Sequence, residues 1–256
     1  MTRDVVLAHF SIRDASFVDR CAAANAAGFG GIGLYIGEWS RLRVEGRSDG
    51  DLLAVLNEHE MRVAEVEALP IFADEQIEPF VHLVATFRPD RIQVIPPFRG
   101  AVDREAAGAW LANVADRVGA FGTSLAIEFL PFTDIGDAAS AVELVERAGR
   151  DNVGLCVDSW HVFRGAGLLS LVGLDPAMVQ SVQFNDGPLE PVLDDYVQDC
   201  LHHRQAPGEG EFDLRGFLQL LPADVPLSIE VPDDDLDALT PMAAATLLMD
   251  ETRRYL

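Results

Sequence analysis

The sequence predicts an α/β fold, a single (β/α)8 barrel over residues 1–256, on three observations. Apolar runs of strand length alternate without a break with segments whose apolar residues recur at helical spacing. The eight runs begin at residues 5, 31, 61, 91, 124, 154, 179 and 226, a near-regular spacing that suits consecutive βα units. The rival, an open doubly wound sheet, would place a glycine-rich turn after its first strand, and no GxGxxG follows there.

Residues 5–9 form the first strand, and Phe17, Val18, Cys21, Ala22 and Ala26 set a helix over 15–27 that Gly28 closes. Residues 31–36 are the second strand, and 38–50 read as a polar loop. Leu52, Leu53, Val55, Leu56 and His59 then mark the second helix. The third strand, 61–69, ends at Pro70. Phe80, Val81, Val84 and Phe87 fix a helix over 77–87, and the fourth strand, 91–95, is cut by Pro96 and Pro97. Asp103 caps a helix that carries Trp110, Leu111, Val114 and Val118 on one stripe to about residue 121. Strand five is 124–130, with its helix over 137–148 stopped by Gly149. Strand six opens at Gly154 and leads into a helix over 161–172. Strand seven (179–185), a helix (213–221), strand eight (226–231) and a closing helix (241–255) complete the series. The one long connection, 187–212, sits above strand seven, and the acidic run Asp233-Asp234-Asp235 reads as a solvated loop with helix-start character.

Composition narrows the function. A chain of 256 residues that is 49% hydrophobic can bury a large core. Its formal charge of -23 repels phosphate backbones and anionic lipid, so nucleic acid and membrane surface are poor partners and a small molecule is the expected one. Cys21, Cys156 and Cys200 match neither a CxxC site nor a disulfide framework, which suits a reducing cytoplasm. Cys156 reads as packing in the barrel wall. The start of the chain lacks a secretory pattern, and no run approaches the roughly 18 to 20 apolar residues of a membrane span. All 19 basic residues are arginine, so this chain supplies no lysine for Schiff-base chemistry.

The candidate site lies where four apolar runs end in ligand-type side chains: Glu128, Asp158, Gln183 and Glu230, on strands five to eight. In such barrels the C-terminal strand ends converge on one rim. Carboxylates crowded there repel one another unless a cation neutralises them, so one divalent metal ion is expected. Carboxylates with an amide oxygen favour Mg²⁺ or Mn²⁺. His161, one helical turn past Asp158, is a candidate catalytic group. His9 at the end of strand one, Glu67 after strand two and Gln93 on strand four are candidates for touching substrate, and Trp39 and Trp160 lie near the rim. His202 and His203 read as solvated.

The order of these motifs resembles the xylose-isomerase-like TIM-barrel superfamily, broadly labelled sugar phosphate isomerase/epimerase. They are IEF with Glu128, VDSWH with Asp158 and His161, VQFND with Gln183 and Asp186, PGEG from Pro207, and SIEV with Glu230. The resemblance covers essentially the whole chain. It implies metal ligation by Glu128, Asp158, the seventh-strand residue and Glu230, with His161 facing substrate and Arg204 binding it. It also suggests a homodimer. One departure is visible: epimerases and hydroxypyruvate isomerase of this kind usually have histidine where this chain has Gln183, whereas the 3-dehydroshikimate dehydratase branch has glutamine as a metal ligand.

Strand eight runs into Val231-Pro232-Asp233-Asp234-Asp235, where barrel phosphate sites would need a glycine-rich turn, so an unphosphorylated substrate is expected. Arg204, with Arg164 and Arg99 behind it, is the candidate to meet a carboxylate or a hydroxyl pair. The chemistry expected is α-proton removal beside a metal-chelated carbonyl, with Glu128 and Glu230 as acid and base. The reading favours isomerisation or epimerisation of a small sugar, ketose or hydroxy-carbonyl compound. Dehydration, with His161 aiding loss of a hydroxyl, is the alternative. A non-catalytic sugar-binding or partner barrel is the second.

Overall fold

A computed structural model describes residues 3–256. Eight parallel strands close into a barrel in sequence order: β1 (Val5–Leu7), β2 (Gly31–Tyr35), β3 (Val63–Pro70), β4 (Arg91–Ile95), β5 (Ser124–Glu128), β6 (Val153–Asp158), β7 (Val179–Phe184) and β8 (Leu227–Ile229). The barrel closes where Val5, Val6 and Leu7 pair with Leu227, Ser228 and Ile229. This is the predicted (β/α)8 architecture, with helices between the strands.

The strands are covered on both sides, so nearly every strand residue is buried. Side chains alternate along a strand, and the alternation here sorts apolar from polar. Ile92, Val94, Ile127, Leu155, Val157, Val182, Leu227 and Ile229 belong to the apolar core. The intervening residues Glu65, Glu67, Gln93, Cys156, Gln183, Ser228 and Glu230 are equally buried. They are tied by hydrogen bonds: Arg91 Nε and Nη2 donate to Glu65 Oε2 at 3.0 and 2.7 Å, and Ser228 donates to Glu65 Oε1. Barrel interiors are more often filled by branched apolar residues, and this one carries a polar network below its rim.

Most outer helices follow the sequence, among them α4 (Asp74–Phe87) and α9 (Leu214–Gln219). In α1 (Phe17–Ala27) Gly28 takes a left-handed conformation at the C-cap, with φ 92°. In α5 (Arg104–Gly119) Asp103 accepts from the backbone N–H groups of Glu105 and Ala106 at 3.0 Å. In α6 (Ala138–Ala148) Asp137 and Ser140 form a reciprocal capping box, and Gly149 ends the helix. The closing helix α11 (Pro241–Thr252) is shorter than expected and is followed by a 3-10 turn.

Three expectations need correction. The polar loop over 38–50 is replaced by α2 (Ile36–Val44) and the start of α3 (Asp49–Glu58). Its anchor is tertiary: Glu38 is buried against Arg20 of α1, and Leu42 packs on the core. The helix over 161–172 breaks into α7 (Ser159–Arg164) and a 3-10 turn at Leu168–Leu171, because Gly165 and Gly167 intervene and Gly167 has φ 75°. The long connection contains α8 (Tyr196–His202), capped by Asp195. The acidic run keeps its expected helix-start character: it opens α10 (Asp234–Asp237), with Asp233 Oδ1 accepting from Leu236 N at 2.8 Å and Asp234 and Asp235 exposed. Among the described residues no helix is long and apolar enough to cross a membrane.

Candidate active site

Glu128 is the last residue of β5, and Asp158 is the last of β6. Asp158 also caps α7, accepting from Trp160 N at 2.7 Å. The first turn of that helix then carries His161 back over the rim. His161 Nε2 lies 2.8 Å from Glu128 Oε1, Nδ1 lies 2.6 Å from the Tyr196 hydroxyl, and Nε2 is 3.7 Å from Asp158 Oδ2. The imidazole is therefore held from both sides, by a carboxylate below and a phenol from α8. Tyr196 was not legible as a site residue. Its signal was an Asp195 cap followed by Tyr196, Val197, Cys200 and Leu201 at helical spacing inside a connection read as loop.

Arg204 follows α8 and turns its guanidinium into the rim. Nη1 donates to Asp158 Oδ2 at 2.8 Å and to Glu230 Oε2 at 3.1 Å. Nε donates to the Cys200 carbonyl at 3.1 Å and Nη2 contacts Cys200 Sγ at 3.0 Å. The donors expected to meet a substrate carboxylate are thus spent on protein acceptors. Burial pushes Asp158 upward, but Arg204, His161 and the Asn185 amide outweigh it and hold the carboxyl below the usual range. Glu230 goes the other way: burial and repulsion from Glu128, Asp158 and Glu65 exceed the help from Arg204 and push its pKa well up.

Glu67 belongs to β3, not to the segment after strand two, and faces the same cavity. Its Oε1 accepts from His9 N at 3.3 Å while Oε2 is buried without a partner. Burial, then Glu65 and Glu230, push this carboxyl well above its ordinary range. Gly33 makes room for it, since a β-carbon there would run into Glu67 Oε1 and the His9 backbone. Gln93 lines the cavity and accepts from Gln183 Nε2 at 3.3 Å. Gln183 is level with Asp158 in the sheet, and its Oε1 accepts from the Cys156 thiol at 3.2 Å. Cys156 therefore turns inward to the polar interior instead of packing in the wall.

Other candidates are placed elsewhere. β1 stops at Leu7, and the 3-10 turn His9–Ile12 takes the His9 ring to 3.4 Å from Glu38 Oε2 and against Phe10 and Tyr35, so His9 is not among the cavity walls. Trp39 donates to Asp49 at 2.9 Å, and Trp160 is wholly buried beside Phe212. Arg164 binds the carbonyls of Pro188 and Leu189 and lies over Trp160, and Arg99 is exposed. His202 pairs with Asp234 at 2.7 Å. Asp186 fastens the PGEG loop, accepting from the backbone of Gly187, Gly208 and Phe212 at 2.8 to 3.0 Å.

Glu128, Asp158 and His161 each offer a ligand atom within 4.8 Å of the others, so this buried Glu/Asp/His cluster can bind a metal ion. The surroundings fit a cation. Glu67, Glu128, Asp158 and Glu230 crowd one rim, Arg204 neutralises only part of that charge, and Glu67 keeps an unpartnered oxygen. Above them opens a cavity of about 650 Å³ with Glu67, Gln93, Glu128, His161, Arg204 and Glu230 among its lining residues.

A closed parallel barrel with a carboxylate and histidine cluster at the C-terminal strand ends defines a class of barrel proteins whose site sits on that rim. The chain belongs to the xylose isomerase-like TIM barrel family, whose model matches residues 21–254. It is 32% identical over 158 residues to a 3-dehydroshikimate dehydratase of Pseudomonas aeruginosa, covering 57% of this chain and 25% of the relative. It is 28% identical over 121 residues to an inosose isomerase of Bacillus velezensis, covering 46% of this chain and 42% of that protein. The matched stretches therefore span less than half the length of either relative, and both relatives are enzymes. Among solved structures it is similar to the IolI protein with a zinc atom bound, at a TM-score of 0.84 and 19% identity over 98% of this chain and 97% of that one.

Proposed function

We propose that this chain is a divalent-metal-dependent isomerase or epimerase of a small unphosphorylated sugar, ketose or other hydroxy-carbonyl compound. The observation that carries the reading is the pair Glu128 and Glu230, two carboxyl groups from different strands that line one cavity with His161 between protein partners. Two such groups can take a proton from one face or carbon next to a carbonyl and supply one to another.

Glu128, Asp158, Gln183 and Glu230 would hold the ion, and their oxygen donors favour Mg²⁺ or Mn²⁺. Bound there, it would polarise the carbonyl and acidify the neighbouring C–H. Glu128 takes the proton, and the His161 Nε2 contact at 2.8 Å keeps its carboxylate oriented. Tyr196 fixes the other ring nitrogen and so the orientation of the imidazole. Glu230, whose buried carboxyl favours the protonated form, gives its own proton to a different face or carbon, and exchange with solvent returns both carboxyls to their starting states. Arg204 holds Asp158 and Glu230 in place, and Gln93 and Glu67 offer hydrogen bonds to substrate hydroxyls from the opposite wall. The likeness to an inosose isomerase supports this reading.

Dehydration is the second reading, favoured by Gln183 and by the 32% identity to a 3-dehydroshikimate dehydratase. In it the same proton loss is followed by departure of a β-hydroxyl, with His161 as the acid. Product analysis of metal-loaded protein on a hydroxy-carbonyl panel separates the two. A rearranged ketose or epimer of unchanged mass supports the first, and loss of water with a new ultraviolet-absorbing conjugated carbonyl supports the second. Binding without conversion across the panel overturns both.

A further inference from the structure

The reacting groups occupy only the floor of the cavity, and its mouth has a different chemistry. One wall is Phe10 and Tyr35, with ring centres 5.3 Å apart; the other is Phe98 and Phe132, also 5.3 Å apart, with Phe132 leaning on Tyr196 at 5.1 Å. Aliphatic side chains fill the gaps, and away from the floor the polar groups on the described lining are the Tyr35 hydroxyl, the Cys200 thiol, Ser40 and Gln76. Phe98 is 52% exposed and Tyr35 36%, so large apolar faces are open to solvent where the cavity opens.

Charge narrows the ligand further. Among the described residues Arg204 is the one arginine that lines the cavity, and its donors already bind Asp158, Glu230 and Cys200. Glu67, Glu128 and Glu230 stand on the same floor. An anionic arm on the substrate would find repulsion from the floor and, among the described lining residues, no arginine free to pair with it. A polyol arm would leave most of its hydroxyls without partners, and unpaired polar groups cost binding energy when buried. At about 650 Å³ the cavity lies within the roughly 300–1,000 Å³ of pockets that enclose ligands larger than a simple triose.

We infer that the mouth is a subsite for a flat apolar or aryl group. The substrate is then an uncharged hydroxy-carbonyl compound with an aromatic or similarly apolar arm. Its polar head reaches the floor, and its arm lies between the Phe10–Tyr35 and Phe98–Phe132 walls. This deepens the proposed function and rests on it for the position of the head.

A matched series tests it, because each member is HOCH₂–CO– joined to a different arm. Hydroxyacetone carries methyl, 1-hydroxy-3-phenylpropan-2-one benzyl, xylulose a polyol, hydroxypyruvate a carboxylate and dihydroxyacetone phosphate a phosphate. Calorimetry on Mn²⁺-loaded protein should rank the benzyl compound at least tenfold tighter than every other member, equal to about 1.4 kcal/mol. Phe98→Ser should weaken the benzyl compound at least fivefold and hydroxyacetone by less. Equal affinity for methyl and benzyl arms, tighter binding of xylulose or of either anion, or no measurable benzyl binding at millimolar concentration overturns the inference. Repeating the series with chelator separates the two claims. If hydroxyacetone binds equally well without metal while the benzyl preference persists, the reading of the floor fails and the mouth stands.

Discussion

Replacing Arg204 by methionine removes the guanidinium that pairs with two rim carboxyls while keeping a stem of similar length. Arg204 is 3% exposed, and Nη1 alone binds Asp158 at 2.8 Å and Glu230 at 3.1 Å. Breaking a buried ion pair by deleting one partner costs about 3–5 kcal/mol, because the surviving charge is left unpaired in a poorly polarisable interior. Here two carboxyls lose the partner, but one can escape by taking up a proton. Glu230 is already pushed upward by burial and by Glu128, Asp158 and Glu65, so it protonates first. The loss should therefore sit near about 3 kcal/mol in mild acid and grow as pH rises. Urea unfolding of the metal-free protein followed by circular dichroism measures it, provided the m-value is unchanged. Mn²⁺ should restore much of the loss, since an ion on the same carboxylates supplies the missing charge. A loss under about 1 kcal/mol, the size of an ordinary substitution, or no response to Mn²⁺, refutes this account of the rim.

Metal analysis of the purified protein should give one ion per chain, and Glu128→Gln and Asp158→Asn should each retain far less; full retention by both removes the metal assignment. Glu67 is pushed well above its ordinary pKa, so between about 4.3 and that raised value the folded chain binds more protons than the unfolded one. Metal-free stability should thus fall as pH climbs through that window, and Glu67→Gln should flatten the slope and stabilise the protein at neutral pH; an unchanged slope in urea midpoints contradicts this. Tyr196→Phe deletes the hydroxyl 2.6 Å from His161 Nδ1 and should lower kcat about tenfold, near 1.4 kcal/mol, with little change in KM; a rise in KM alone would make Tyr196 a binding group instead.

The barrel was legible because its signal is repeated and local. Each βα unit announces itself by an apolar run and a helical stripe, and the Asp103 cap and the Gly149 stop fall where the sequence places them. The strand-end carboxylates were legible for the same reason, since Glu128 and Asp158 close runs that cannot be anything but buried strands. What escaped depends on partners distant in sequence. Glu38 looked solvated in a polar stretch, yet Arg20 on another helix makes it a buried anchor for α2. The polar interior was missed because Glu65, Arg91 and Ser228, from β3, β4 and β8, meet only when the closed barrel brings them together across its interior. His9 was drawn toward substrate by its place after a strand, but a 3-10 turn redirects it to Glu38. The aromatic mouth is assembled from a 3-10 turn, the end of β2 and two loops, and no single stretch of sequence carries it.

Solvent exchange tests the central claim most directly, because both reactions begin with proton loss beside a carbonyl. Metal-loaded protein incubated with a hydroxy-carbonyl ligand in D₂O should place deuterium on the carbon next to the carbonyl, as read by NMR. The label should appear faster than with ligand alone and should vanish with chelator or with Glu128→Gln. Exchange at the uncatalysed rate with a ligand shown by calorimetry to be bound, or exchange untouched by Glu128→Gln, contradicts the assignment of Glu128 as the base on this rim.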